Sequence, residues 1–475
     1  MRHRSEYDGV IVGSGPNGLA AAIVLARAGL SVLVLEAQEQ IGGGTRSDAL
    51  TLSGFTHDVC SAVHPMAAAS PFLRTLPLKD HGLEWIHPQY PLAHPSDDGS
   101  VTVLERSVEK TCQSLGVDGN SYMRLVAPLV EKWDLLQQEI LGPISFPRHP
   151  LIMARFGIHA IQPASRLAKS QFKSGQARAL FAGLAAHSLM PLESWGTSAV
   201  GLVLASLAHV TGWPIAKGGS QRIADALASY LRSLGGEIVT GVRVRSQRDL
   251  PPSRVVLCDL SPRGLLQIAG ERFPMSYRRA LERYRYGPGV FKVDWALRGP
   301  IPWTARQCAQ AGTVHLGGTI SEIALYELDS CRNVHSKHPF VLLAQPSLID
   351  PSRAPAGCHV AWAYCHVPSG SGLDMTDRIE IQVERFAPGF RDLILARSTK
   401  SPAQLEAENP NLVGGNITGG ANSLRQLFFR PTSRLYQTPV KGLFLCSAST
   451  PPGAGVHGMC GYHAAMRALA SAHFN

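Results

Sequence analysis

Short apolar runs bounded by glycine punctuate both ends of the chain, and helical patterns fill the space between them. Tyr7–Val12 ends in Val10-Ile11-Val12 and stops at Gly13, which predicts a buried strand. Gly15–Ala28 is rich in alanine and leucine and stops at Gly29, as a helix does. Ser31–Leu35 reads Ser-Val-Leu-Val-Leu, a second buried strand. Strand, helix and strand in this order predict a parallel sheet.

From Leu76 to Trp213 the texture is helical. Tyr122–Leu141, Ala177–His187 and Ala199–Val210 carry the pattern, broken by Pro143, Pro147, Pro150 and Pro163. Gly218-Gly219-Ser220 opens a helix over Gln221–Leu234, and Gly235-Gly236 ends it. Strands are expected at Glu237–Thr240, Val242–Arg245, Arg254–Asp259, Gly289–Leu297, Phe340–Gln345 and His359–His366, with a helix over Asp377–Phe386. The end reads as a strand, Lys441–Ser447, then a glycine-rich loop and a helix, His463–Ala470.

Composition narrows the classes. At 475 residues the chain can form two or three units of roughly 100–200 residues. Hydrophobic residues at 45% against 17% charged describe a globular protein. The net charge is +10, yet the basic residues are scattered, with no run of five and no zinc-finger spacing. Nucleic acid is therefore not expected. Two readings of the excess stay open, a solvated basic surface and contact with an anionic membrane. Leu151–Lys173 bears on the second, being apolar with Arg155, Arg166, Lys169 and Lys173 interspersed. None of the nine cysteines forms Cys-x-x-Cys, which argues against a dithiol centre and a zinc site, and no metal is expected. The N-terminal residues lack the apolar stretch of a secretory signal. Ala199–Val210 is shorter than the ~20 residues of a membrane span. The expectation is a cytoplasmic protein, soluble or attached to a membrane surface.

The chemistry begins at Gly13-Ser14-Gly15-Pro16-Asn17-Gly18. Glycines at this spacing are weak evidence alone, but these follow a predicted strand and open a helix. Glu36 closes the next strand 23 residues after Gly13, near the expected offset of about 20. Gly13 allows the turn, Gly15 lets backbone approach a pyrophosphate, and Gly18 lets the helix sit close to the sheet. Glu36, followed by Ala37, can accept from ribose hydroxyls and would repel a 2′-phosphate. Behind it stand Gly42-Gly43-Gly44-Thr45-Arg46, a second glycine cluster with a cation for phosphate. Near the other end, Gly453-Ala454-Gly455-Val456-His457-Gly458 follows a strand, too close to the end of the sequence to open another nucleotide domain. It reads as the last helix start of the first fold. Its dipole could face a cofactor that becomes negative on reduction.

With these segments, and with Lys217-Gly218-Gly219-Ser220, Gly415–Gly420 and Arg430-Pro431, the chain resembles the phytoene desaturase-like FAD-dependent oxidoreductases. These are a branch of the flavin amine oxidase superfamily, and the likeness extends to members of the pyridine nucleotide-disulfide oxidoreductase domain-containing protein 2 type. It spans the whole chain and is specific for FAD rather than for a substrate. It implies an α/β fold, a discontinuous doubly wound Rossmann-type FAD domain made of residues 1–75, 215–272 and 425–475. An α+β substrate domain would be inserted as residues 76–214, mainly helical, and 273–424, of sheet and helices. The resemblance also implies adenine contact through the backbone of Val244. One departure is Pro451-Pro452-Gly453, where many relatives carry His-Pro-Gly.

A flavin dehydrogenase needs no catalytic side chain, because the flavin takes the hydride. Three residues are nevertheless candidates. His457 could exchange a proton near neutral pH, or simply bond to its own loop. His64, with His57, flanks Asp58 in the stretch that the resemblance brings past the flavin. Lys292 could reach the flavin through water, or pair with Asp294 on the same face of its strand. The expected substrate is small and apolar, oxidised by hydride transfer, with oxygen or a quinone as diffusible acceptor. Rival readings are an amine oxidase, a reduced-flavin isomerase and a flavoprotein without turnover.

Overall fold

The computed structural model describes residues 6–471. Along the first half run β1 (Tyr7–Val12), α1 (Pro16–Arg27), β2 (Val32–Leu35), β3 (Tyr90–Pro95) and β4 (Val101–Leu104). Helices α2 (Pro150–Ala160), α3 (Ala164–Gln171), α4 (Gly175–Ala186), α5 (Thr197–Val210) and α6 (Gln221–Ser233) follow. Then come β5 (Glu237–Val239), β6 (Ser253–Cys258), β7 (Gly289–Leu297), β8 (Ala311–Leu316), β9 (Val341–Ala344), β10 (His359–Val367) and β11 (Ile394–Lys400). The chain closes with α7 (Leu424–Phe428), β12 (Leu443–Leu445) and α8 (Met459–Ser471).

Five strands form a wholly parallel sheet in the order β12-β6-β1-β2-β5. Strands β1 and β2 are buried on both faces, which is why they read as unbroken apolar runs. Residues of α1, α6 and α8 fill one face, and Leu265, Phe273, Tyr277 and Leu281 the other. The architecture is α/β and doubly wound, with strands drawn from three separated stretches of chain.

A separate seven-stranded mixed sheet runs β11-β7-β10-β9-β8-β3-β4. One face packs on the helical layer that includes α4 and α5. The other packs on Ile379, Val383 and Phe390.

Four expectations change. Val242–Arg245 is not a strand, because β5 is the sheet edge and Val242 N instead donates to Glu36 O at 2.8 Å. The helical stretch 122–141 breaks at Lys132. Leu151–Lys173 divides at Pro163 into α2 and α3, and only α2 exposes apolar side chains. Strands β3 and β4 add to the mixed sheet from a stretch of helical texture. Among the described residues no helix is long and apolar enough to cross a membrane.

Candidate cofactor site

The turn from β1 into α1 is built on close backbone contact. Gly13 has φ +101°. A Cβ on Gly18 would lie 2.1 Å from Gly13 O, and one on Gly15 would lie 2.6 Å from Asp259 Oδ2. This loop walls a cavity of about 800 Å³. Cofactor and ligand sites usually enclose roughly 300–1,000 Å³.

Of the residues expected to hold a dinucleotide, Gly13, Gly15, Pro16, Asn17, Glu36, Ala37, Gly43, Gly44, Arg46 and Val244 all line this cavity. Ser14, Gly18 and Thr45 support it from behind. Ser14 donates to Glu36 Oε2 through N at 2.8 Å and Oγ at 2.6 Å, and Gln38 N donates to Oε1 at 3.0 Å. These bonds fix the Glu36 carboxylate in the wall. Thr45 Oγ1 donates to Gly42 O at 2.8 Å, and Arg46 Nε donates to Gly43 O at 3.1 Å. Asn17 Oδ1 is buried with no partner in the protein.

Asp259 lies directly under the glycine loop, where the sequence marks only the end of a strand. Its Oδ2 accepts from Gly18 N at 3.0 Å. Burial pushes its carboxyl up to about 7, with Glu36 adding to the rise against the pull of the Gly18 N–H. No local sequence signal marks it, since its partner is 241 residues away.

The far wall comes from residues 417–419 and 447–449. Arg430, buried, stitches these two loops together. Its Nη2 donates to Thr418 O at 2.6 Å and its Nε to Ala448 O at 3.1 Å. Asn416 Oδ1 accepts from Gly420 N at 3.0 Å and closes the same turn. The block 415–431 stands out in the sequence by resemblance, but its role in this wall does not.

The remaining candidates lie outside the cavity lining. Gly455 and Val456 precede α8, and His457 is fully buried there. His457 Nδ1 accepts from Met459 N at 3.0 Å, and burial pushes the imidazole down to about 4. His64 bonds Ser220 Oγ through Nε2 at 2.8 Å. Ser220 Oγ already donates to Ser61 O at 2.6 Å, so His64 Nε2 is the donor. Burial holds this imidazole at about 4 as well. Lys292 is buried on β7 in an ion pair with Asp294, its Nζ 5.3 Å from the Trp362 ring centroid. His57 Nδ1 stands 3.6 Å from Asp294 Oδ1. Nearby, Asp58 binds Arg353, Ser47 Oγ at 2.8 Å and Ser220 N at 2.7 Å. Burial works to raise the Asp58 carboxyl, but Arg353 and these hydrogen bonds outweigh it and hold it below its usual value. Among the described residues no group of three or more His, Cys, Asp or Glu could hold a metal ion.

The wall residues fit FAD: a glycine loop at a helix start, a fixed acidic acceptor, a second glycine cluster with Arg46, and the buried, unpartnered Asn17 oxygen. Residues 11–76 match the family described as NAD(P)-binding Rossmann-like domain. The mouse pyridine nucleotide-disulfide oxidoreductase domain-containing protein 2 is 27% identical, over 98% of this chain and 93% of its own. A limonene dehydrogenase component of Castellaniella defragrans is 22% identical over 98% and 95%. A lycopene-forming phytoene desaturase of Pseudescherichia vulneris is 25% identical over 95% and 96%. In fold, the chain superposes on an oxidoreductase from Methanosarcina mazei with a TM-score of 0.68, 16% identity and coverage of 97% and 99%. With its doubly wound sheet, its dinucleotide cavity and these relatives, the chain belongs with the FAD-dependent oxidoreductases.

Proposed function

We propose that this FAD-dependent oxidoreductase takes a hydride from an apolar, carotenoid- or lipid-like substrate and so desaturates it. The observation that carries the reading is the apolar character of the cavity wall at Leu412 and Ile417. Both pack against the buried cluster of Leu189, Val290 and Leu405, so this part of the wall offers hydrocarbon to a substrate. Relatives named for phytoene and limonene point the same way.

The start of α1 presents free N–H groups and a partial positive charge to a pyrophosphate. Glu36, held by Ser14 and Gln38, presents its carboxylate to ribose hydroxyls. Val244 borders the adenine end and Arg46 the phosphates. When bound, FAD supplies the hydride acceptor. The chain contributes position and a dry surround, since His64 and His457 are uncharged and Lys292 is paired with Asp294. Reoxidation falls to a diffusible acceptor, oxygen or a quinone.

An amine oxidase calls for two aromatic rings facing each other across a gap. Trp362 and Tyr364 instead stack on one strand, 5.6 Å between centroids and 14° between planes. The test is anaerobic mixing of the FAD-loaded protein with lipophilic alkenes and amines. Bleaching of the oxidised flavin band by alkenes is expected. Bleaching by amines alone, turnover only after prior reduction of the flavin, or no response at all would each overturn the proposal.

A further inference from the structure

Helix α2 is apolar on two sides. Phe156 and Ala160 are buried against the helical core. On the opposite side Leu151 is 86% exposed and Ile158 65%, and Phe146, just before the helix, is 91% exposed. Leu151, Ile158 and Ile161 recur at helical spacing, so they form one stripe. The stripe does not end with its own segment. Gly196 N donates to Ile161 O at 2.7 Å, which brings in the exposed Trp195. The Leu424 side chain comes within 3.1 Å of the Cβ position of Gly196, which brings in α7 with exposed Leu427 and Phe428, and exposed Phe429 just after it. Three stretches of chain thus converge on one apolar face. Scattered exposed apolar residues are ordinary, whereas a contiguous patch marks a contact surface.

Charge decides what covers it. The sequence has no Asp or Glu between Glu139 and Glu193, and none after Glu408. Glu139 is itself buried on His149, at 2.9 Å. Exposed Glu193 is a carboxylate at the rim. Against it stand exposed Arg148, Arg155 and Arg425. A second copy of the chain on this face would set arginines against arginines.

We propose that this face docks on an anionic lipid bilayer. The apolar side chains enter the headgroup boundary, and Arg148, Arg155 and Arg425 meet lipid phosphates. Along the chain the face follows the cavity wall directly, because α7 begins at Leu424, five residues after the lining residue Gly419. Delivery of substrate from the bilayer rests on the functional reading above, but the lipid contact does not.

The FAD-loaded protein is sedimented at low salt with phosphatidylcholine vesicles, with or without phosphatidylglycerol. Pelleting with the anionic vesicles, and release by salt, are expected. Each lost arginine weakens binding roughly fivefold, so Arg155→Glu weakens it about 25-fold. Leu151→Glu with Ile158→Glu abolishes pelleting, while Met275→Glu, at an exposed apolar site on the separate helix Met275–Glu282, leaves it unchanged. An unchanged flavin spectrum and melting temperature certify the fold of each variant. No pelleting by wild type, pelleting insensitive to the Leu151 and Ile158 changes, or a dimer that those changes dissociate would overturn the proposal. Vesicle binding by a protein whose flavin no hydrocarbon bleaches would sink the substrate reading and leave this one standing.

Discussion

Gly461→Ala probes how closely the last helix is seated on the dinucleotide loop. Gly461 lies in the first turn of α8, against the first turn of α1. An added Cβ would stand 1.8 Å from Asn17 O, 2.7 Å from Asn17 C and 3.0 Å from Ala21 N. All three are backbone atoms, so no rotamer relieves the overlap. Moving the closest contact from 1.8 Å to 3.0 Å parts the helices by about 1.2 Å. Ala464, Ala465 and Ala468, buried on the same face, are carried outward with it. A gap near 1 Å forfeits up to about half of each dispersion contact. Overpacking usually costs about 1–3 kcal/mol, and a backbone clash belongs at the upper end. For a unit of 150–250 residues each kcal/mol lowers Tm by roughly 2–4 °C, so a drop of roughly 6–12 °C is expected. The start of α1 moves too, so the purified variant should carry less flavin. Gly157→Ala is the paired control. It sits inside α2 with no heavy atom within 4 Å of its Cβ position, and it should be neutral or up to about 1 kcal/mol stabilising. Thermal melting and the flavin-to-protein absorbance ratio read both effects. A Gly461→Ala protein with unchanged Tm and full flavin would refute the argument, as would equal shifts in the two variants.

Two further outcomes follow from buried charge. Arg353→Met strands Asp58 in the interior and should cost about 3–5 kcal/mol at neutral pH. Because Asp58 is held below its usual range, the pair's stabilisation is present above about pH 4 and lost as pH falls through the lower folded value. The Tm gap between variant and wild type should therefore narrow in acid, and a gap constant with pH would count against the pairing. Asp259 runs the other way: the stabilisation from its raised carboxyl is fully present below about pH 4 and lost as pH rises through about 7. With an anionic pyrophosphate in the adjoining loop, wild-type flavin retention should fall from about pH 6 to about pH 8, and Asp259→Asn should abolish that dependence in equilibrium dialysis.

The parts legible in the sequence were those whose cause is local. Buried parallel strands announce themselves as apolar runs, and Gly13, Gly15 and Gly18 sit where backbone must approach backbone. Parts fixed by distant partners were not legible. Asp259 gains meaning from Gly18, and Asp58 from Arg353, 295 residues away. Strand β3 was obscured by Pro91 and Pro95, residues that argue against a strand when read alone. Helix α8 begins at Met459 rather than His463 because packing on α1, not helix propensity, sets its start. His64 and His457 attract a chemical reading through their neighbourhoods along the chain. What the sequence does not carry is their burial, which leaves both rings neutral.

The order of the parallel sheet bears on how the molecule is made. Strand β1 is synthesised first and lies at the centre, yet its neighbour β6 begins at Ser253 and the neighbour of β6 begins at Leu443. The glycine loop therefore leaves the ribosome long before the strands that complete its sheet, and its apolar flanks wait for them. FAD cannot be enclosed until Ser447–Ser449 meet the Gly13–Gly18 loop, so enclosure of the cofactor waits for a stretch of chain more than 400 residues away and then acts as the clasp on the sheet.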